Sequence, residues 1–252
     1  MKLYLVIAFL FVSALGDAQQ QKKELYTEKI SGINTKEDFS DDWANLTKYQ
    51  QENKKLTAPV RGENRVVFLG SSIFERWKIL SPDFFKEKPY INRGISGQIS
   101  PQLLMRFRQD VINLKPAVVV ILAGSNDIAG NTGHTTYESI MNNIISMAEL
   151  ARANNIKTVL CKYLPVADYP WRKGMQPAQK IIALNKLIEE YALKNNLVLL
   201  DYFTPFANAE NGQKAELTLD GVHPNRTGYK IMEKATQEAI AEALAQKKRR
   251  SL

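Results

Sequence analysis

From Arg65 to Asp201, short apolar runs alternate with amphipathic stretches, and nothing else in the chain limits its fold so strongly. The runs are RVVFL (65–69), PYINR (89–93), AVVVIL (117–122), KTVLCKYL (157–164) and LVLLD (197–201). As a set they are dense in Val, Ile and Leu and lack polar alternation, which is how parallel strands read when both faces of the sheet are covered. Between them SPQLLMRFRQDVINL (100–114), TYESIMNNIISMAELARANN (136–155) and PAQKIIALNKLIEEYALKNN (177–196) repeat apolar residues at helical spacing. NRTGYKIMEKATQEAIAEALAQKK (225–248) closes the chain as a further helix. Ser100 followed by Pro101 makes a cap and first-turn pair. The alternation predicts an α/β fold, a three-layer α/β/α doubly wound sandwich around a five-stranded parallel sheet. In that architecture ligands bind beyond the carboxyl ends of the strands, so the connections leaving those ends are where chemistry belongs.

The flanks divide the rest of the chain. Residues 1–18 have one cation at Lys2, an apolar run from Leu3 to Val12, and small residues at Gly16 and Ala18. That is the layout of an export signal removed before Gln19, with an uncleaved membrane anchor as the alternative. No cysteine follows the run, which argues against a lipid-modified N-terminus. Residues 19–64 read as a polar lead. Within it Thr35 is positioned to cap a helix in which Phe39, Trp43, Leu46 and Tyr49 or Gln50 recur at helical spacing. Residues 65–246 form the main domain, in a chain that at 252 residues and 44% hydrophobic is large enough to bury a full core. Residues 247–252 are a solvated basic tail.

Composition removes several function classes. The formal net charge is +8, yet no basic stripe with interleaved aromatic residues is present, which argues against a nucleic-acid partner. Cys161 is the sole cysteine, so no disulfide forms within the chain, and its apolar setting suits a small buried side chain. No ligand set for a metal is evident and no cofactor is implied.

Four short motifs follow the strands. GSS (70–72) follows the first, GISGQ (94–98) the second, and AGSND (123–127) the third. LDGVHPN (219–225) follows the fifth and precedes the last helix. Singly they are weak, since Ser and Gly are ordinary cap and turn residues and Asn beside Asp is an ordinary turn. Together they supply a hydroxyl, a glycine backbone, a carboxamide and an Asp–His pair, the inventory that acyl transfer requires. Of the two histidines only His223 has an acid three residues before it. His134, in GNTGHTTY, suits a capping or surface role.

With these residues in this order, the chain resembles the SGNH (GDSL-type) hydrolases from about Arg65 through the last helix. The resemblance implies a flavodoxin-like fold and activity as an esterase or acylhydrolase. It implies Ser72 as nucleophile, with His223 as base and Asp220 as its acid. It also implies an oxyanion hole from Asn126, Gly97 and the backbone N–H of Ser72. One departure is plain: the family's first motif usually reads Gly-Asp-Ser, and Ser71 stands in the middle here. That acid belongs to the hydrogen-bonding scaffold, so the departure bears on loop rigidity and specificity. An α/β-hydrolase elbow is excluded because Phe74 occupies the place of its last glycine.

The loop LPVADYPWRKGMQP (164–177) leaves the fourth strand at the same edge, offering Tyr169, Trp171 and Met175 as pocket walls for a sugar ring or an acyl chain. The expected substrate is a small ester or acylated carbohydrate, with acetyl esters first. A lysophospholipase or short-chain thioesterase is the alternative, and a non-catalytic binding protein on the same fold is the rival from a different class.

Overall fold

The computed structural model describes residues 41–246. The expected export signal, the Thr35 cap with Phe39, and the basic tail lie outside the described residues. The sheet consists of β1 (Val66–Gly70), β2 (Tyr90–Gly94), β3 (Val118–Ile121), β4 (Lys157–Lys162) and β5 (Val198–Asp201). Every pairing is parallel and the order is β2-β1-β3-β4-β5. Central β1 and β3 are buried along their whole length, whereas edge strands β2 and β5 have half-exposed positions. This follows the prediction from unbroken aliphatic runs.

The helices are α1 (Gln50–Lys55), α2 (Ser72–Leu80), α3 (Ser100–Met105), α4 (Phe107–Asp110), α5 (Ser125–Ile128), α6 (Tyr137–Ala153), α7 (Pro177–Asn195), α8 (Phe203–Phe206) and α9 (Arg226–Ala245). The chain steps one way from β1 to β2 and the other way from β2 through β3 and β4 to β5. Right-handed crossovers therefore put α2 on one face and α3, α6 and α7 on the other. The last helix, α9, joins α2 and packs on β4 and β5. Trp77 of α2 is fully buried, stacked on Phe84 at 4.6 Å and on Tyr229 of α9 at 5.5 Å. Such aromatics contribute most of the area that holds a layer down. Gly94 lets α2 lie close on β2, since a Cβ there would sit 2.3 Å from the Glu75 nitrogen. No helix among the described residues is long and apolar enough to cross a membrane.

Two expected elements differ. The helix expected from Thr35 is, over 42–49, a series of turns. The Asp42 carboxylate accepts Leu46 N at 2.8 Å, Thr47 N at 2.9 Å and the Thr47 hydroxyl at 2.9 Å, and Asn45 is left-handed at φ 54°. Local side-chain bonds of this kind compete with helix, and Trp43 is left 49% exposed while Ala44 and Tyr49 are buried. The helix expected over 100–114 breaks at Arg106 into α3, α4 and a 3₁₀ turn over Ile112–Leu114. There the fully buried guanidinium takes up four bonds to other elements. His134 lies exposed, and the cap of α6 is Thr136, whose hydroxyl accepts Ser139 N at 3.1 Å.

Candidate active site

The turn after β1 delivers Ser72 as the first residue of α2. Its opposite number comes from the loop before α9. Asp220 folds back on its own backbone, with Oδ1 accepting Val222 N at 3.1 Å and His223 N at 2.8 Å. That turn leaves Oδ2 facing the ring, 2.7 Å from His223 Nδ1. The three-residue spacing is thus a geometric requirement: one carboxylate shapes the turn with one oxygen and fixes the imidazole tautomer with the other. Gln213 donates to Val222 O at 2.7 Å, and the Asn225 side chain caps α9 by accepting Gly228 N at 3.0 Å. The Tyr229 hydroxyl donates to Ile73 O at 2.8 Å and so pins α9 to α2. His223 Nε2 then lies 2.9 Å from Ser72 Oγ, across 151 residues of sequence.

Electrostatics favour a neutral ring. Burial pulls His223 below its ordinary 6.5, Asp220 pushes it back, and the nearby Arg76 charge lowers it further. Burial works to raise the Asp220 carboxyl, but the hydrogen bonds from His223 and Val222 outweigh it and hold the group below its ordinary value. An imidazole must be neutral to accept a proton, so this ring is able to accept one at neutral pH and loses that capacity as pH falls through a midpoint below the ordinary 6.5. Removing the Arg76 charge makes the imidazolium less costly and raises that midpoint. Arg76→Gln should therefore move the acidic limb of a kcat/KM profile to higher pH while hydrolysis persists. A limb that stays in place or moves toward acid would contradict this account.

The other motifs gather around the same serine. Gly97 is left-handed at φ 78°, a conformation glycine adopts at no steric cost. The N–H groups of Ser72 and Gly97 donate to nothing among the described residues. Asn126, 6% exposed, donates one amide hydrogen to Gln98 O at 2.9 Å and keeps the other. Asp127 beside it accepts Ser100 N and the Ser100 hydroxyl, the latter at 2.6 Å, tying α5 to the start of α3. Ser71 is buried, and in place of a carboxylate the turn has a hydroxyl scaffold. Burial pushes the Tyr163 hydroxyl up to about 12, with the Ser125 and Ser71 side chains opposing the rise.

Of the three expected wall residues, one stands at the site. Trp171 is 48% exposed, with its ring centroid 6.1 Å from that of His223. Tyr169 has no exposed surface; its hydroxyl is spent on Ser125, donating to the carbonyl at 2.8 Å, so it buttresses Trp171 from beneath instead of lining a pocket. Met175 is half-buried and packs against the core. Sequence reading missed Asn131, which accepts from Trp171 Nε1 at 3.3 Å and donates to Gly97 O at 3.2 Å. A polar residue in a Gly-rich loop gives no local signal of such a bridge. Contacts thus run without a break from Ser72 through His223, Trp171, Asn131 and Gly97–Gln98 to Asn126.

A parallel sheet with a Ser–His–Asp line at the carboxyl ends of its strands defines a hydrolase of the serine type. Residues 68–231 match the GDSL-like Lipase/Acylhydrolase family, and the chain belongs to it as an ester-bond hydrolase. A GDSL-like lipase from Bacteroides thetaiotaomicron is 49% identical with a TM-score of 0.78, covering 80% of this chain and 99% of its own. Esterase TesA of Pseudomonas aeruginosa is 27% identical over 178 residues, 69% of this chain and 82% of TesA. The chain spans only 33% of the lipoprotein YqeF of Bacillus subtilis, at 30% identity over 81 residues and 31% of this chain.

Proposed function

We propose that the chain hydrolyses carboxylic esters through an acyl-enzyme, with Ser72 as nucleophile, His223 as general base and Asp220 as its orienting acid. The observation that carries this is the Ser72–His223–Asp220 line, at 2.9 and 2.7 Å. Ser72 Oγ adds to the ester carbonyl as His223 Nε2 takes its proton. The oxygen that becomes negative is received by the N–H groups of Ser72 and Gly97 and by the Asn126 amide. His223 returns the proton to the departing alcohol, and water repeats the two steps to release the acid and restore Ser72.

The proposed substrates are short acyl esters, acetyl first, on carbohydrate alcohols. The leaving oxygen must reach His223 Nε2, so whatever stands beside that ring faces the alcohol half of the ester. Trp171 stands there with about half its surface open and its N–H engaged by Asn131, a platform suited to stacking a sugar ring. Trp171→Ala should raise KM for an acetylated monosaccharide about three- to tenfold with kcat little changed, and leave ethyl acetate unaffected. Equal loss on both esters would remove the stacking role. Leu219, 56% exposed next to Asp220, favours the second reading, a lysophospholipid or a short-chain thioester. Release of acetate from acetylated xylan or pectin, set against fatty acid from lysophosphatidylcholine, decides between them. Export is part of the proposal, supported by the apolar run after Lys2 and by the match to YqeF, which is named a lipoprotein.

A further inference from the structure

The segment 43–53 lies upstream of the residues that match the family, which begin at 68, and its contacts are of an unusual kind. Three glutamines spaced along the main domain each aim a carboxamide at one of its backbone carbonyls. Gln98 donates to Ala44 O at 2.7 Å, Gln102 to Trp43 O at 2.5 Å and Gln109 to Leu46 O at 2.6 Å. Asn53 of α1 donates to Asp110 at 2.6 Å and accepts Arg93 Nε at 2.9 Å and Nη2 at 2.7 Å. The Tyr49 hydroxyl donates to Gly94 O, and the Arg93 guanidinium lies 4.5 Å from the Tyr49 ring. Lys48 pairs with Glu75 at 3.4 Å, and Glu75 accepts Ser96 N at 2.8 Å.

Apolar burial accounts for only part of this attachment. Ala44 and Tyr49 are buried, but helix α1 has no buried residue and Trp43 is half exposed. A hydrogen bond to protein replaces one to water, so polar bonds are a weak adhesive but a strong constraint on geometry. What they constrain is the loop 95–98, and the contacts converge on Gln98. Its carbonyl accepts the Asn126 amide at 2.9 Å, and its Oε1 accepts Arg106 Nε at 2.6 Å. Arg106, fully buried, also donates to Gly70 O at 3.1 Å, just before the Ser71–Ser72 turn, and to Arg93 O at 2.7 Å. Gln98 therefore touches segment 43–46 with its side chain, the carboxamide of Asn126 with its backbone carbonyl, and the end of β1 through Arg106.

We propose that residues 43–53 are a strap that holds the oxyanion loop in register with Asn126, and that Gln98 is the positioning residue through which it acts. The proposal rests on the reading of Gly97 and Asn126 as oxyanion donors. In the full chain, Gln98→Met removes both side-chain bonds, whereas Gln98→Glu keeps an acceptor for Arg106 and loses only the donor to Ala44. Both should lower kcat on 4-nitrophenyl acetate by about tenfold or more, with KM and the acidic limb of the pH profile unchanged. On an Asn126→Ala background the Gln98 change should add little, because the two act on one interaction. Should Gln98→Met fail to fold, as judged by circular dichroism, Gln98→Glu bears the test alone. Gln98 variants at the parent rate, or losses that multiply fully with Asn126→Ala, would overturn the strap while leaving the esterase reading intact. An Asn126→Ala variant at the parent rate would instead remove the oxyanion reading, and the strap with it.

Discussion

Ser72→Ala and His223→Ala should each lower kcat on 4-nitrophenyl acetate by on the order of 10⁶-fold, and the double variant should be scarcely slower than either. A serine hydroxyl is a poor nucleophile on its own, and in the proposed mechanism the imidazole 2.9 Å away activates it. Removing either partner ends acyl-enzyme formation, so the losses do not multiply. The activity that remains, about 10³–10⁴ above water, comes from binding and oxyanion donors alone. A fluorophosphonate should label the parent and leave Ser72→Ala unlabelled. Ser71→Ala should stay active, since Ser71 is buried and the hydroxyl 2.9 Å from His223 Nε2 is that of Ser72. An active Ser72→Ala beside an inactive Ser71→Ala would reverse the assignment of the nucleophile.

Asn126→Ala should reduce kcat by about 10²–10³ with KM nearly unchanged, the loss usual for one oxyanion donor. The amide is built to be still before the reaction begins: it is 6% exposed and one of its hydrogens is committed to Gln98 O at 2.9 Å. Such a donor needs no reorganisation as negative charge develops, which is why it acts on kcat and not on ground-state binding. The substitution also leaves Gln98 O without its donor, so a lower melting temperature should accompany the slower rate. Folded Asn126→Ala that turns over at the parent rate would exclude the residue from the oxyanion hole.

Both expectations start from features legible in the linear chain, and the strap does not. The strands could be read because two-sided burial leaves an aliphatic run, and their order of motifs because each follows a strand end. The Asp220–His223 pair could be read because three residues suffice for the carboxylate to turn back on the ring. Arg106, Gln98 and Asn131 left no trace of this kind. A buried arginine, an ordinary glutamine and a loop asparagine acquire meaning only from partners tens of residues away. Tyr169 and Trp171, two residues apart in one loop, were indistinguishable until folding buried the first and set the second beside His223. Around Asp42 the helical spacing was present, but three bonds to one carboxylate decided for turns. The chain by itself therefore determined the layers, the order of the motifs and the local Asp–His geometry, because burial period and short-range bonding act between neighbours in sequence. Tertiary structure alone decided that Ser72 meets His223, which aromatic side chain faces solvent, and what holds the loop 95–98, because those depend on the path of the backbone between residues that are neighbours only in space.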